Sequence, residues 1–499
     1  MGIPSYFSSL IKRYPKLISH CPPPIDWLWI DFNCIVYHCL NGLGDTVLPP
    51  YYGESRKDEW ESLLIKTVEE YCKKIIKDAG PQKGVYIAVD GVVPMAKMKQ
   101  QRLRRFRGGQ ISDQTKWDKN SITPGTLFMN KLQVSIKRMA DSHFGWRFSS
   151  SHECGEGEHK IMEQWRTGKY DGNYALYGLD ADLVVLSLLN RNNNNVWLFR
   201  EEIKSKEVSG RFCWFDISRL SEILFGNNNR KIKDYCFAMS FLGNDFVPSS
   251  LSMKIKENGY QLLVDTLNEK LWKHNIFLIE EGGIDLCLTS LRELIKQFAE
   301  VENERVEKFI RSKTILTNRV FDQEDEEWKP CDLEEGILVI DGKLVGNWRE
   351  KYLKWFGSAD ETCIEYISTE YLKSLVWTWM YYNGKPVCNN WFYAWNLPPL
   401  WNWLENTKCA IPCNETIIIN KGEISEQEQL CLVLPLKSWS LITDNTLKKM
   451  PSISPWMFPH RFDSFCIGKY WKWEEEPKIP IVSVSELKKM NSQTTSSES

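Results

Sequence analysis

Seven carboxylates stand out by where they fall. Asp31 closes the apolar run DWLWIDF, Asp90 closes GVYIAVDG, and Asp180 and Asp182 interrupt YALYGLDADLVVLSLL. Glu156 and Glu158 flank Gly157 in SSHECGEGEHKIMEQW, with Gly155 just before them. Asp245 follows a Gly-Asn turn in FLGNDFVP. Each has an ordinary explanation when taken singly. An aspartate at a helix start caps it, and a glutamate in the first turn answers the helix dipole. Brought together, they pose a different problem. Two carboxylates about 4 Å apart repel by about 4 kcal/mol at an effective dielectric of 20, and a hard cation removes that repulsion. An oxygen set without His or Cys suits Mg²⁺, with Mn²⁺ as the alternative, better than zinc. Two such ions about 3.5–4 Å apart activate a water and stabilise the leaving oxygen in phosphodiester cleavage.

The surrounding elements must make these groups meet. DWLWIDF, GVYIAVDG and the start of YALYGLDADLVVLSLL read as buried strands, and VWLFREEI as a further one. KDEWESLLIKTVEEYCKKIIKDAG has helical spacing and stops at Gly80. Alternation of this kind predicts an α/β fold with a mostly parallel sheet flanked by helices. The C-terminal strand ends of such a sheet share one rim, where ligands bind. Residues two apart on a helix face nearly opposite ways. Glu156 and Glu158 therefore converge only if Glu156 is extended, which Gly155 and Gly157 permit. Asp180 and Asp182 need a similar strand-to-helix turn.

A basic segment follows Asp90 closely. KMKQQRLRRFRGG, from Lys97, holds six basic residues and no acid. On a helix, Lys97, Gln101, Arg104 and Arg105 fall at i, i+4, i+7 and i+8, which is one face. Three cations and an amide on one stripe make a phosphate pocket, with arginine forks suited to terminal phosphate oxygens. The plainer alternative is a solvated basic face. A phosphate grip beside a cleavage centre would select chain ends.

Totals bound the class. The 499 residues suffice for two or three domains, and 42% hydrophobic with 26% charged residues describe a soluble globular chain. The net charge of −2 excludes a general polyanion binder, so the basic segment reads as a defined anion site. No apolar run is long enough to span a bilayer. The first residues, MGIPSYFSSLIKRYPKL, have neither a signal-peptide layout nor a myristoylation pattern, since position 6 is Tyr. The 15 cysteines are scattered; Cys409 and Cys413 lack the second pair of a zinc site. They read as reduced thiols of an intracellular protein, which makes the sequon at Asn414 a chance one. Past residue 250 the pattern turns helical, with RELIKQFAEVENERVEKFIRSK as a long amphipathic candidate and an acidic loop near 322–335. The expected organisation is an acidic-site domain over 1–250, a helical region over 251–490 and a disordered tail over 491–499. The 22 tryptophans are mainly core, with some as stacking platforms for bases.

The motifs together resemble the eukaryotic-type 5′→3′ exoribonucleases. MGIPSYFSSLIKRYP, DFN, AVDGVVPMAKMKQQRLRRFR, SITPGTLFM, GEGEHKIM, YGLDADLVVL, FLGNDFVP, EQLCLVLP and MFPHRFDSFCIGKYWKWE occur in the family's order, from residue 1 to about 485. The resemblance implies a nuclease domain related to PIN and flap-endonuclease folds, with a helical second region walling in the active site. It implies that Asp31, Asp90, Glu156, Glu158, Asp180, Asp182 and Asp245 hold two Mg²⁺ ions. It implies that Lys97, Gln101, Arg104 and Arg105 bind the 5′-monophosphate of single-stranded RNA. Members commonly carry a histidine where this chain has Tyr37, and a second tryptophan where it has Asn389. Tyr37 and Trp391 are then the residues left to stack the leading bases. The chain closes near the end of the second region, as in a compact member, viral or from a divergent eukaryote. A cytoplasmic monomer fed by decapping factors, with a nuclear location as the alternative, completes the expectation. The rivals are a structure-specific DNA flap endonuclease and a nuclease-dead RNA-binding scaffold.

Overall fold

The computed structural model describes residues 2–3, 5–42, 47–111, 115–204, 207–319, 321, 326–357, 360–408 and 424–497. Cys409, Cys413, Asn414 and residues 322–325 of the acidic run lie outside the described residues. The chain forms two compact units, each discontinuous in sequence. Phe7–Asn227, Lys421–His460 and Pro480–Ser499 make a sheet unit. Met1–Tyr6, Asn228–Asn420 and Arg461–Ile479 make a helical unit. The linear division into 1–250 and 251–490 thus gives way to an interleaved one.

The sheet unit is built on β1 (Ile18–Ser19), β2 (Trp27–Asp31), β3 (Gly84–Ala88), β4 (Trp146–Ser149), β5 (Tyr174–Tyr177), β6 (Val196–Lys204) and β7 (Glu207–Asp216). They form a seven-stranded sheet in the order β1-β7-β6-β5-β2-β3-β4. β4, β3, β2, β5 and β6 run parallel, while β7 returns antiparallel to β6 and β1 antiparallel to β7. The mostly parallel α/β sheet is the expected one. β4 and β7 carry no strong pattern in the sequence.

The helices of this stretch are α1 (Tyr6–Arg13), α2 (Asn33–Leu40), α3 (Lys57–Ala79), α4 (Met95–Ile111), α5 (Leu127–Asp141), α6 (Gly157–Arg166), α7 (Leu183–Asn190) and α8 (Ile217–Phe225). α3 shows why they form. Trp60, Leu64, Val68, Tyr71, Cys72, Ile75, Ile76 and Ala79 are buried along one stripe. Gly80 ends the helix at φ 62°, donating its N–H to Ile76 O. The stripe packs in one core with Leu28, Ile30, Val85 and Ile87 of the sheet and Met129, Leu132 and Ile136 of α5. Each such side chain contributes about 1.5–3 kcal/mol when fully buried.

The helical unit contains α9 (Asn229–Ala238), α10 (Gly259–Thr266), α11 (Leu288–Thr317), α12 (Trp348–Lys354), α13 (Cys363–Tyr382) and α14 (Trp401–Asn406). α11 is the long amphipathic helix expected from the sequence. It buries Leu291, Leu294, Phe298, Val306, Phe309 and Ile310. It also carries buried charge. Glu302 accepts the N–H groups of Trp401 (2.7 Å) and Asn402 (3.3 Å) at the start of α14. Lys313 pairs with Glu335 at 2.8 Å, both fully enclosed.

The returning chain completes the sheet unit with α15 (Glu426–Val433), α16 (Met450–Ile453) and α17 (Val484–Ser497). α17 continues as helix into 491–497, the stretch that composition assigns to disorder. α15 starts from a capping box between Ser425 and Glu428 and packs on α4. Arg102 of α4, 1% exposed, anchors this return. Its guanidinium donates to Pro480 O at 2.9 Å, to Leu432 O at 2.7 Å and to Met457 O. Among the described residues no helix is long and apolar enough to cross a membrane.

Candidate active site

The parallel sheet reverses its direction of growth at β2. The chain adds β3 and β4 on one side, then β5 and β6 on the other. The crevice beyond the carboxyl ends of β2 and β5 is therefore the switch point of the fold, where open sheets bind ligands. Asp31 is the last residue of β2, paired with Ala88 in register. Asp90 and Asp180 were expected to end strands as well, but β3 stops at Ala88 and β5 at Tyr177. Both aspartates sit in the following loops, which reach over the same rim.

Asp90 is fixed from two directions. Asn33 Nδ2 of α2 donates to its Oδ2 at 2.8 Å, and Gly157 N–H of α6 donates to its Oδ1 at 2.7 Å. The two glycines of the Gly155–Gly157 turn act differently. Gly155 has φ +104°, open to glycine at least strain. Gly157 is needed for space, because a Cβ there would stand 2.8 Å from Asp31 Oδ1 and 2.9 Å from Ala88 O. Between them Glu156 is extended, at φ −69° and ψ 150°, as its convergence with Glu158 requires. Glu156 holds the N-cap position of α6 and Asp182 that of α7, and neither side chain makes a capping hydrogen bond. The cap explanation fails for both.

The acids come together as two overlapping triads. Oxygens of Glu158, Asp180 and Asp182 lie within 4.8 Å of one another, as do ligand atoms of Glu156, Glu158 and His159. Glu158 belongs to both. Burial and then the charge of Asp182 hold the Glu158 carboxyl well above its usual range. Burial, then Asp90, Asp180 and Glu156, do the same to Asp31. In both, Lys97 offsets only part of the crowding. The donor set fits one or two divalent cations. It is not purely oxygen, as the sequence suggested. His159 Nε2 lies 4.0 Å from Glu156 Oε1 and 4.0 Å from Glu158 Oε1. Burial and the cations Lys97 and Arg166 push its pKa well below the usual value, so the ring is neutral at neutral pH, the form that ligates metals.

The basic helix abuts this rim. Lys97 forms an ion pair with Glu156 Oε2. One turn on, Gln101 and Arg105 are 7% and 8% exposed. Gln101 Oε1 and Arg105 Nη1 are buried without a hydrogen-bond partner among the described residues. Burial pushes the Arg105 pKa down to about 10, and Tyr37 partly offsets this, so the guanidinium stays charged. Arg104 is half-buried on the same helix. The open N–H of the buried Arg105 guanidinium matches an anion, not a solvated face.

The stacking candidates divide between the units. Tyr37, on α2, is half-buried against the sheet core. His38 is no substitute for it, being 2% exposed, stacked on Tyr71 at 4.3 Å and 3.5 Å from Glu201. Trp391 belongs to the helical unit, tilted against Trp377 with ring centroids 5.6 Å apart. Asp245 also belongs to that unit, in a turn where Asn244 Oδ1 accepts from Phe246 N and Val247 N, each at 2.9 Å. Sequence reasoning overlooked Asn33, His159 and Lys160. Lys160 Nζ donates to Val89 O at 2.8 Å and Ser150 O at 2.7 Å, and burial lowers its pKa to about 8. The Asn of DFN and the His-Lys after GEGE were the available signals.

Comparison with known proteins gives a consistent family. Residues 1–202 match the XRN 5′-3′ exonuclease N-terminus and residues 226–334 the Xrn1 helical domain. The chain is 30% identical over 403 residues to 5′-3′ exoribonuclease 2 of Candida glabrata, covering 61% of this chain and 38% of that protein. It is 32% identical over 364 residues to 5′-3′ exoribonuclease 1 of Schizosaccharomyces pombe, covering 62% of this chain and 26% of that protein. These alignments span well under half the length of those relatives. Among solved structures, the catalytic core of Rad2 in complex with DNA substrate aligns with 15% identity and a TM-score of 0.35, covering 65% of this chain and 83% of that one.

Proposed function

Since the chain belongs to the XRN 5′-3′ exonuclease family, we propose that it is a processive 5′→3′ exoribonuclease. It degrades single-stranded RNA bearing a 5′-monophosphate to mononucleotides. The Lys97–Glu156 ion pair carries this reading, because it joins the phosphate-binding helix to the acidic rim. A 5′ phosphate held by that helix leaves the first phosphodiester beside the carboxylates.

The residues divide the work. Lys97, Gln101, Arg104 and Arg105 bind the terminal phosphate, and the buried donor left open at Arg105 favours a small, multiply charged end group. Tyr37 and Trp391 stack the leading bases. Asp31, Asp90, Glu156, Glu158, Asp180, Asp182 and Asp245 hold two Mg²⁺ ions, with Mn²⁺ as the alternative metal. Such ions supply charge neutralisation and activation of the attacking water. Asn33 and Gly157 keep Asp90 turned to the rim, and neutral His159 adds a nitrogen donor. We further propose a cytoplasmic monomer acting on ends exposed by decapping factors.

The test is a time course with 3′-labelled single-stranded RNA and Mg²⁺. It compares 5′-monophosphate, 5′-hydroxyl and 5′-triphosphate ends, with matched DNA. Selective loss of the monophosphorylated RNA with release of mononucleotides is expected. Indifference to the 5′ end, or preference for branched DNA, would overturn the reading.

A further inference from the structure

One residue of the returning chain grips the loop that carries the site. Gln429, on α15, is fully buried, and its Oε1 accepts the Val93 N–H at 2.9 Å. Val93 is itself 2% exposed and lies between Asp90 and Lys97. Only an oxygen can accept from Val93, which fixes the amide's orientation. Its Nε2 has no partner among the described residues.

The loop from Asp90 to α4 has few ties. Gly91 N–H donates to Gly155 O at 2.9 Å, and Gly155 N–H to Val92 O at 2.7 Å. These zip it to the turn that precedes Glu156. Pro94 offers no N–H, so Val93 provides the last backbone donor before α4 begins at Met95. Gln429 takes that donor. Behind it, Arg102 clamps α4 to Leu432, Met457 and Pro480. The inner side of the basic helix therefore rests on segments more than 300 residues later in the chain.

We infer that Gln429 is a positioning residue for the 5′-phosphate pocket, acting through Val93 and the first turn of α4 on Lys97 and Gln101. This rests on the exoribonuclease reading above. Without the acceptor, a buried N–H must find another partner, and the loop shifts to let it. Lys97 and Gln101 shift with the helix start, while Glu158 on α6 and Asp182 at the start of α7 stand on other segments.

The test uses the full chain and two substitutions. Gln429→Met keeps the side-chain volume and removes the acceptor, and Gln429→Glu keeps an acceptor. KM and kcat are measured on 5′-monophosphate and 5′-hydroxyl RNA with the same preparation. The ratio of the two KM values does not depend on the folded fraction, so a partly unfolded variant is still informative. Gln429→Met is expected to raise KM for the phosphorylated RNA about tenfold, with kcat within about twofold and the hydroxyl substrate little changed. Gln429→Glu is expected to retain most of the preference. An unchanged preference in Gln429→Met, or a loss in Gln429→Glu as large as that in Gln429→Met, would overturn the inference. A wild-type chain without 5′-phosphate preference would instead overturn the reading on which it rests.

Discussion

Gly157 donates its N–H to Asp90 Oδ1 at 2.7 Å, and its missing side chain leaves the space that Asp31 fills. One residue thus both holds one rim acid and makes room for another. Gly157→Ala puts a methyl group 2.8 Å from Asp31 Oδ1 and 2.9 Å from a backbone carbonyl that cannot swing away. The carboxylates must move. A displacement of about 1 Å costs about 100-fold in rate. Steady-state kcat should fall by that order, with far-ultraviolet circular dichroism unchanged.

After burial, the charge of Asp182 is what most raises the pKa of Glu158, and Asp182 does not cap α7. Asp182→Asn should therefore cost activity without costing stability. The expected loss in kcat is about 10²–10³, the scale of removing one preorganised electrostatic group. The melting temperature should hold or rise, since one source of repulsion is gone. A clear drop in melting temperature would mean that Asp182 serves the fold instead.

Arg102 is the buried anchor of the returning chain. Arg102→Met keeps much of the bulk but leaves the carbonyls of Leu432, Met457 and Pro480 without their donor. Each buried orphan costs about 1–3 kcal/mol, so a loss of at least about 3 kcal/mol is expected in urea unfolding. Limited proteolysis should then cut in 421–460 before it cuts in the strands.

Glu302 gives the helical unit a pH dependence. Burial raises its pKa from 4.5 to about 7, against the opposing hydrogen bonds from Trp401 and Asn402 and the charge of Arg349. The folded chain then binds more protons than the unfolded chain between those values. The stability from this group is complete below pH 4.5 and is lost as pH rises towards 7, by about 3 kcal/mol at most. Asp234, raised to about 6 by burial, acts in the same direction. Glu302→Gln should flatten the dependence of melting temperature on pH across this window. An identical slope in wild type and variant would refute the assignment.

Local patterns exposed some features and hid others. Asp31 was legible because a short apolar strand ends in it, and α3 because its stripe runs to a capping glycine. Asp90 and Asp180 were expected at strand ends and sit in the loops beyond them, because an apolar run does not mark where pairing stops. β4 passed unseen, since a four-residue strand with only Ser149 fully buried carries little periodicity. His159 was overlooked because a lone histidine on a helix is ordinary until folding sets it between two glutamates. The interleaving of the units had no local signal. Arg102 finds its acceptors 330 and 378 residues away, and one more basic residue in a basic helix gives no hint of that.

The interleaving also sets an order of events during synthesis. The first seven strands leave the ribosome long before α15 does. At about 5–20 residues per second, the roughly 200 intervening residues take about 10–40 s to emerge. Through that interval the Arg102 guanidinium lacks the carbonyls that enclose it in the finished unit, and α4 lacks α15 as a packing partner. The final seating of the basic helix is thus withheld from the nascent chain until α15 and the segments after it fold back.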